Sequence, residues 1–395
     1  MTRSFRPFLL TCTALACALG AGTRPALATP VHVHSLLELN ATTRGTALIS
    51  NWDSPEVSAF DPYSARVFAE ATPTSHLEID LQALYQENAG LRLIGAYLQY
   101  TPWPERDLHL TAGKIPWLIG TYNARVYSDR NPLIGTPLMY QFHTGVEWYS
   151  AYPTVDDLLT RTYGGDPGDG SVHYAGGMPV IWESWWDVGI MAVGSARPFE
   201  GALGVVCGTP GWASAGEEEN NGKSYLGRIG VSPVPQVRVG VSGSIGPYLK
   251  DSAARFVPPG RSVNDYDQKL AMVDAELQFG HAELRGEAFR NLWETPTIGN
   301  LGVSGYYAEG KYTLPLGLYT AARWDILRFT KVTNSSAQTR PWHRNVNRLE
   351  VGLGCRLSRG VTAKLVHQRF TELAFDATSS DETFDLSALG LSISF

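Results

Sequence analysis

The sequence predicts an all-β chain, a transmembrane antiparallel barrel of about 16 strands (range about 14–18). Three observations predict it. Apolar residues recur at every second position along most of the chain. The alternating segments run to about 10–13 residues, against the usual 5–6 of globular sheets. The connections alternate short and long, which distinguishes one end of the strands from the other. Alternation alone suits a soluble sandwich equally well, because side chains of any strand point to opposite faces in turn. A sandwich, however, has no reason to sort its loops by end.

Composition sets the outer bounds. The 395 residues are 44% hydrophobic and 18% charged, with 18 Tyr and 11 Trp, which excludes a disordered chain. The net charge of −6 argues against nucleic acid as the partner. After the first two dozen residues no apolar run reaches the ~18 residues of a membrane helix. At the start, Arg3 and Arg6 precede the apolar stretch Phe8 to Gly22, and Ala26-Leu27-Ala28 follows as a small-residue cleavage site. Residues 1–28 therefore read as a secretory signal peptide and 29–395 as the barrel. Cleavage after Ala28 leaves only Cys207 and Cys355, which make neither a disulfide scaffold nor a metal site and read as packing residues.

The elements follow in order. Early strands are expected near 31–39, 65–71, 76–86, 91–101 and 107–115, with the first two the least regular. In 77–85, Leu77, Ile79, Leu81, Ala83 and Tyr85 share one parity. Eleven more strands follow residue 186. Val237, Val239 and Val241 alternate with Arg238, Gly240 and Ser242; Leu349, Val351 and Leu353 alternate with Arg348, Glu350 and Gly352. Short turns fall near 197–198, 233–235, 280, 314–317 and 358–360, and long connections near 208–222, 249–267, 294–301, 330–345 and 373–383. Sixteen is even, and both termini land on the short-turn side, as a single-chain barrel requires. Tyr and Trp near strand ends, such as Tyr100, Trp103 and Tyr312, suit girdles at the membrane interfaces. The last strand, with Leu389, Leu391, Ile393 and Phe395 on one parity, resembles the assembly signal of Gram-negative outer-membrane proteins.

One connection is different. Residues 116–185 carry Trp117, Tyr122, Tyr127, Tyr140, Trp148, Tyr149, Tyr152 and Trp182, too aromatic for an unpacked loop. The interior of the barrel is the available place for it. Here the chain resembles the bacterial porin superfamily, whose third loop folds inward to narrow the pore. The stretch Ala112-Gly113-Lys114-Ile115-Pro116-Trp117-Leu118-Ile119-Gly120 is similar to the Gly-Lys/Arg, Pro-aromatic, Gly exit of phosphate-selective-type porins. The resemblance covers the mature chain in architecture and about ten residues in motif. It implies a homotrimer of passive channels in the bacterial outer membrane. Phosphate-selective members rely on dense Arg and Lys, whereas this loop has Arg125, Arg130 and Arg161 against seven acids, which puts phosphate preference in doubt.

The expected pore-lining residues are Lys114, Arg125, Asp129 and Arg130 from the exit and the loop. From the wall come Arg238, Glu283, Arg285, Arg323, Asp325, Arg348 and Glu350. On a lipid face an Arg at mid-membrane would cost about 2–4 kcal/mol, so the polar parity must face water. Wall arginines opposite an acidic loop would either create a transverse field or neutralise one another. The expected partners are outer-membrane lipid and small hydrophilic solutes, and no cofactor or catalytic residue is expected. Asn221-Gly222-Lys223-Ser224 lacks the leading Gly of a phosphate loop, and no His pair has zinc spacing. Three other readings remain: a sheath around a partner protein, a soluble carbohydrate binder, and an outer-membrane hydrolase. The last would use Asp156-Asp157 with His143 or His173 at the rim.

Overall fold

The computed structural model describes residues 29–43, 63–86, 90–163, 177–182, 186–212, 220–376 and 378–395. The expected signal peptide therefore lies outside the described residues. The first strands are β1 (Val31–Thr42), β2 (Tyr63–Thr74), β3 (Leu77–Gln86), β4 (Gly90–Tyr100) and β5 (Leu108–Pro116). After the long segment come β6 (Trp186–Ala196), β7 (Phe199–Val206), β8 (Ser224–Val234) and β9 (Val237–Pro247). Then follow β10 (Asp267–Phe279), β11 (Ala282–Trp293), β12 (Leu301–Thr313) and β13 (Leu318–Phe329). A small hairpin, β14 (Lys331–Thr333) with β15 (Thr339–Pro341), stands in the 330–345 connection, where the sequence pattern shows no strand. The last strands are β16 (Val346–Ser358), β17 (Val361–Glu372) and β18 (Glu382–Ser394).

Sixteen of these strands form one closed antiparallel barrel in sequence order, and β1 pairs with β18 to close it. Leu39 faces Leu391 across that seam, and Ser35 and Phe395 exchange both backbone hydrogen bonds, at 2.7 and 3.0 Å. The terminal Phe thus completes the closure rather than hanging free. Closure removes every sheet edge, the one way a sheet can satisfy its backbone in lipid.

Burial is inside out. The apolar parity faces outward: Leu203 is 70% exposed, Ile229 68% and Leu353 58%, while Arg348 and Glu350 on the opposite face of β16 are at 0%. A water-soluble sheet would bury the first set. An apolar outer belt around a closed barrel is instead solvated by hydrocarbon. The packed core lies within the lumen and at its long-connection end, built from residues of 117–163 and 177–182, the inward side chains of the wall and the connection 248–266.

Candidate functional site

The site is the segment that leaves β5 and crosses the interior. Gly120 turns the chain with φ +63°, and a Cβ there would meet Glu287 Oε1 at 2.6 Å and Tyr140 OH at 2.8 Å. Only glycine combines that backbone conformation with that approach. Beyond the turn, Thr121 N, Thr121 Oγ1 and Tyr122 N donate to Glu287 Oε1 at 2.5, 3.1 and 3.0 Å, and Tyr140 OH donates to Oε2. The chain then runs on along the same side of the wall, over β13 and β16. Gly135 N donates to Glu350 at 3.1 Å and Leu138 N to Asp325 at 3.0 Å. In return Arg323 donates to Gly135 O, and Arg348 to Thr136 O. Lys364 donates to the carbonyls of Ser128, Asn131 and Leu133. A loop without a ladder must still satisfy its backbone, and here the charged inner wall supplies the partners.

The carboxylates and guanidiniums of the wall also pair with each other. Arg228 and Asp274 make two bonds of 2.9 Å, Arg238 reaches Glu200 at 2.8 and 2.5 Å, and Lys311 reaches Glu283 at 2.8 Å. Arg285 lies 2.6 Å from Glu283 and 3.4 Å from Glu309; Arg323 lies 3.2 Å from Glu309 and also pairs with Glu350. Arg348 is 3.0 Å from Asp325. Between an unscreened transverse field and mutual neutralisation, the wall of β7–β16 follows the second.

These facts redistribute the expected pore-lining set. Arg323, Asp325, Arg348 and Glu350 point inward but lie dry beneath the loop. Arg125 leans on Glu276, and its own burial lowers its guanidinium pKa from the ordinary value. Arg238, Glu283 and Arg285 stay in the inner ladder just described. Asp129 and Arg130 border open space. Lys114 is a correction: it shares the outward parity of Leu110 and Ala112, and its ammonium donates to Leu93 O at 2.9 Å. The reason is local. β4 pairs with β5 only from Ala96 to Tyr100, so Lys114 bridges the wall where the two strands part. Trp186 fills the same seam against Gly95.

Aromatic packing fills the interior at the long-connection end on the side of β11–β17. Phe142 lies 6.1 Å from Phe329 and 6.2 Å from Phe370, and Trp342 stands edge-on to Trp293 at 6.0 Å. Nearer β8 and β9, Trp148 stacks on Trp212 at 3.7 Å with the Lys250 ammonium 5.0 Å above the Trp212 ring. A cavity of about 700 Å³ lies along β1–β4 at the short-turn end. Its polar lining includes Glu70, Asp80 and Asp129 against Arg130 and Arg359. Phe68, Tyr97 and Tyr127 form its aromatic side, with Tyr127 OH on Gln82 Oε1 at 3.0 Å. Asp80 stands directly opposite Glu70 on the neighbouring strand. The sequence reading gave this acidic pair no role, although both residues sit on the polar parity of their strands.

A short helix, α1 (Val155–Tyr163), was also missed. Its signal is the reciprocal cap in which Thr154 N donates to Asp157 Oδ2 at 3.1 Å and Asp157 N to Thr154 Oγ1 at 3.2 Å. Asp157 is thereby occupied, and Asp156 accepts from Ser335 N at 3.0 Å. His143 is buried with Nδ1 on Gly177 O at 2.5 Å, and burial lowers its pKa to about 4. His173 lies outside the described residues. No cluster of three or more His, Cys, Asp or Glu with metal-binding geometry occurs among the described residues.

No protein-family model matches this chain, and no curated protein matches its sequence. Solved structures do. A loop-deletion mutant of OmpT, an outer membrane protein of Vibrio cholerae, aligns with TM-score 0.56 at 12% identity over 93% of this chain and all of that one (100%). An anion-selective porin from Comamonas acidovorans gives 0.56 at 9% identity over 93% of this chain and 100% of its own. The outer membrane channel DcaP of Acinetobacter baumannii gives 0.56 at 7% over 93% and 97%. Likeness at such identities reaches the fold and no further: this chain is a closed 16-stranded antiparallel β-barrel, the fold of those outer-membrane proteins, with the described part of its long third loop packed inside.

Proposed function

We propose that the protein is a channel of the bacterial outer membrane that passes small hydrophilic solutes or ions down their gradients, without cofactor or catalysis. The observation that carries this reading is the loop bonded across the lumen from Gly120 to Leu138, beside a cavity of about 700 Å³ along β1–β4. A segment held in this way narrows a barrel without occupying all of it. The reading favours a homotrimer, in keeping with trimeric OmpT among the similar folds. The sheath alternative is disfavoured because the chain's own loop fills the place a threaded partner would need. Hydrolysis at Asp157 is disfavoured because that carboxylate caps its own helix.

Charge preference follows from the cavity rather than from the arginine ladder. Glu70, Asp80 and Asp129 outnumber Arg130 and Arg359, so a weak preference for cations is expected. This departs from the phosphate-selective subtype that the exit motif suggests. Planar-bilayer recordings test both points. Purified protein should give ohmic steps, and deleting part of 121–135 should enlarge them; steps of unchanged size would reject the loop as constriction.

A further inference from the structure

The inward Arg228, Arg238, Arg285, Arg323 and Arg348 are paired with carboxylates, but two arginines on the outer surface are not. Arg290 on β11 faces Ser304 on β12, and Ser304 faces Arg328 on β13, so the three form one row across adjacent strands. All three share the outward parity of their strands with the exposed Leu284 and Trp324. Arg328 donates to Leu327 O at 2.8 Å, Val346 O at 2.9 Å and Asn347 Oδ1 at 2.6 Å. Those acceptors are neutral: they orient the guanidinium and leave its charge uncompensated. Among the described residues neither Arg290 nor Arg328 is in an ion pair. Arg369, also outward, differs in having Asp385 at 3.0 Å.

The row has a definite height. It lies at the long-connection end, a few residues before β11 and β13 finish. Two residues further down, roughly 7 Å, the outward residue of β12 is Tyr306, and Trp324, four residues and roughly 13 Å below Arg328, packs edge-to-face against it at 5.7 Å on the same outer surface. Such rings mark the boundary between hydrocarbon and headgroups. At the opposite end of these strands the outward residues include Leu284, Tyr312 and Leu318, with no basic side chain among them. A like-charged pair placed just above an aromatic girdle, at one end only, needs an anion from the membrane itself.

We propose that Arg290, Ser304 and Arg328 bind the phosphate of an anionic lipid headgroup in the leaflet at the long-connection end. Two guanidiniums flanking a hydroxyl supply convergent charged and neutral donors for phosphate oxygens, the pairing in which Arg excels. The rings below would pack on the first methylenes of the acyl chains. The inference rests on the chain being membrane-embedded and is independent of whether it conducts.

The test uses the folded full chain in vesicles of brominated phosphatidylglycerol or brominated phosphatidylcholine. The Trp324 signal is isolated by subtraction of Trp324→Phe. Quenching should favour the anionic lipid several-fold, since each basic residue at such a surface contributes about fivefold. In Arg290→Gln/Arg328→Gln the preference should vanish, in the Lys double variant part of it should remain, and Arg369→Gln should leave it intact. Equal quenching by both lipids in the unaltered protein, or an unchanged ratio in the Gln variant, overturns the proposal. So does loss of the preference on adding inorganic phosphate, which would mark a site for the free ion. Absence of quenching by either lipid would instead overturn the membrane reading, while failure to conduct would bear only on the channel.

Discussion

Glu287 on the barrel wall holds Thr121 of the inner loop twice through one oxygen, by the backbone amide at 2.5 Å and by the hydroxyl at 3.1 Å. This contact joins the two halves of the molecule, because it fixes the loop where it has just left its own strand and reached the far side. Glu287 is 2% exposed, so water does not replace what it accepts.

Glu287→Ala should therefore release the loop rather than merely weaken it. Four donors, including the Tyr140 hydroxyl, lose their acceptor inside a dry site, at a cost of about 3 kcal/mol or more. Single-channel records should become larger and noisier, and protease should reach 121–135. A quiet, wild-type conductance in this variant would show that the anchor is dispensable.

Lys114→Leu separates a wall residue from a pore residue. Its ammonium serves the Leu93 carbonyl on the outer side of the β4–β5 seam. Loss of one charge-assisted bond should lower resistance to denaturant by about 1–2 kcal/mol. Conductance and ion preference should not change. A shifted reversal potential would return Lys114 to the ion path.

Glu70→Gln with Asp80→Asn removes the facing carboxylates of the residual cavity. Reversal potentials in asymmetric KCl should move from mild cation preference toward none or slight anion preference, with Arg130 and Arg359 left in place. The same pair of changes would have no effect if ions passed along the arginine ladder of β13 and β16.

Acid should loosen the loop near His143. An exposed histidine takes its proton near pH 6.5, whereas burial keeps this one neutral down to about 4. Its contribution is complete above about 6.5 and is lost as pH falls toward 4, by about 3 kcal/mol at most. Trp182, edge-on to the ring at 5.2 Å, should report the change by fluorescence. His143→Gln should flatten that pH dependence; an equally steep profile in the variant would assign it to other groups.

The alternation of β16 and β10 already states which side chains face hydrocarbon, because period two leaves no other arrangement for Leu349, Val351 and Leu353. Loop lengths add the two ends, and an even strand number adds closure, so barrel, belt and inner loop are legible in the primary structure. Lys114 was legible as well, since it shares the parity of Leu110 and Ala112, but the exit motif outweighed that pattern. What alternation does not contain is wetness. Arg323 and Arg348 read as inward in either case; whether they meet water or the carbonyls of Gly135 and Thr136 depends on where residues 131–138 come to rest. That is fixed by contacts between positions some two hundred residues apart, and only the closed barrel brings them together.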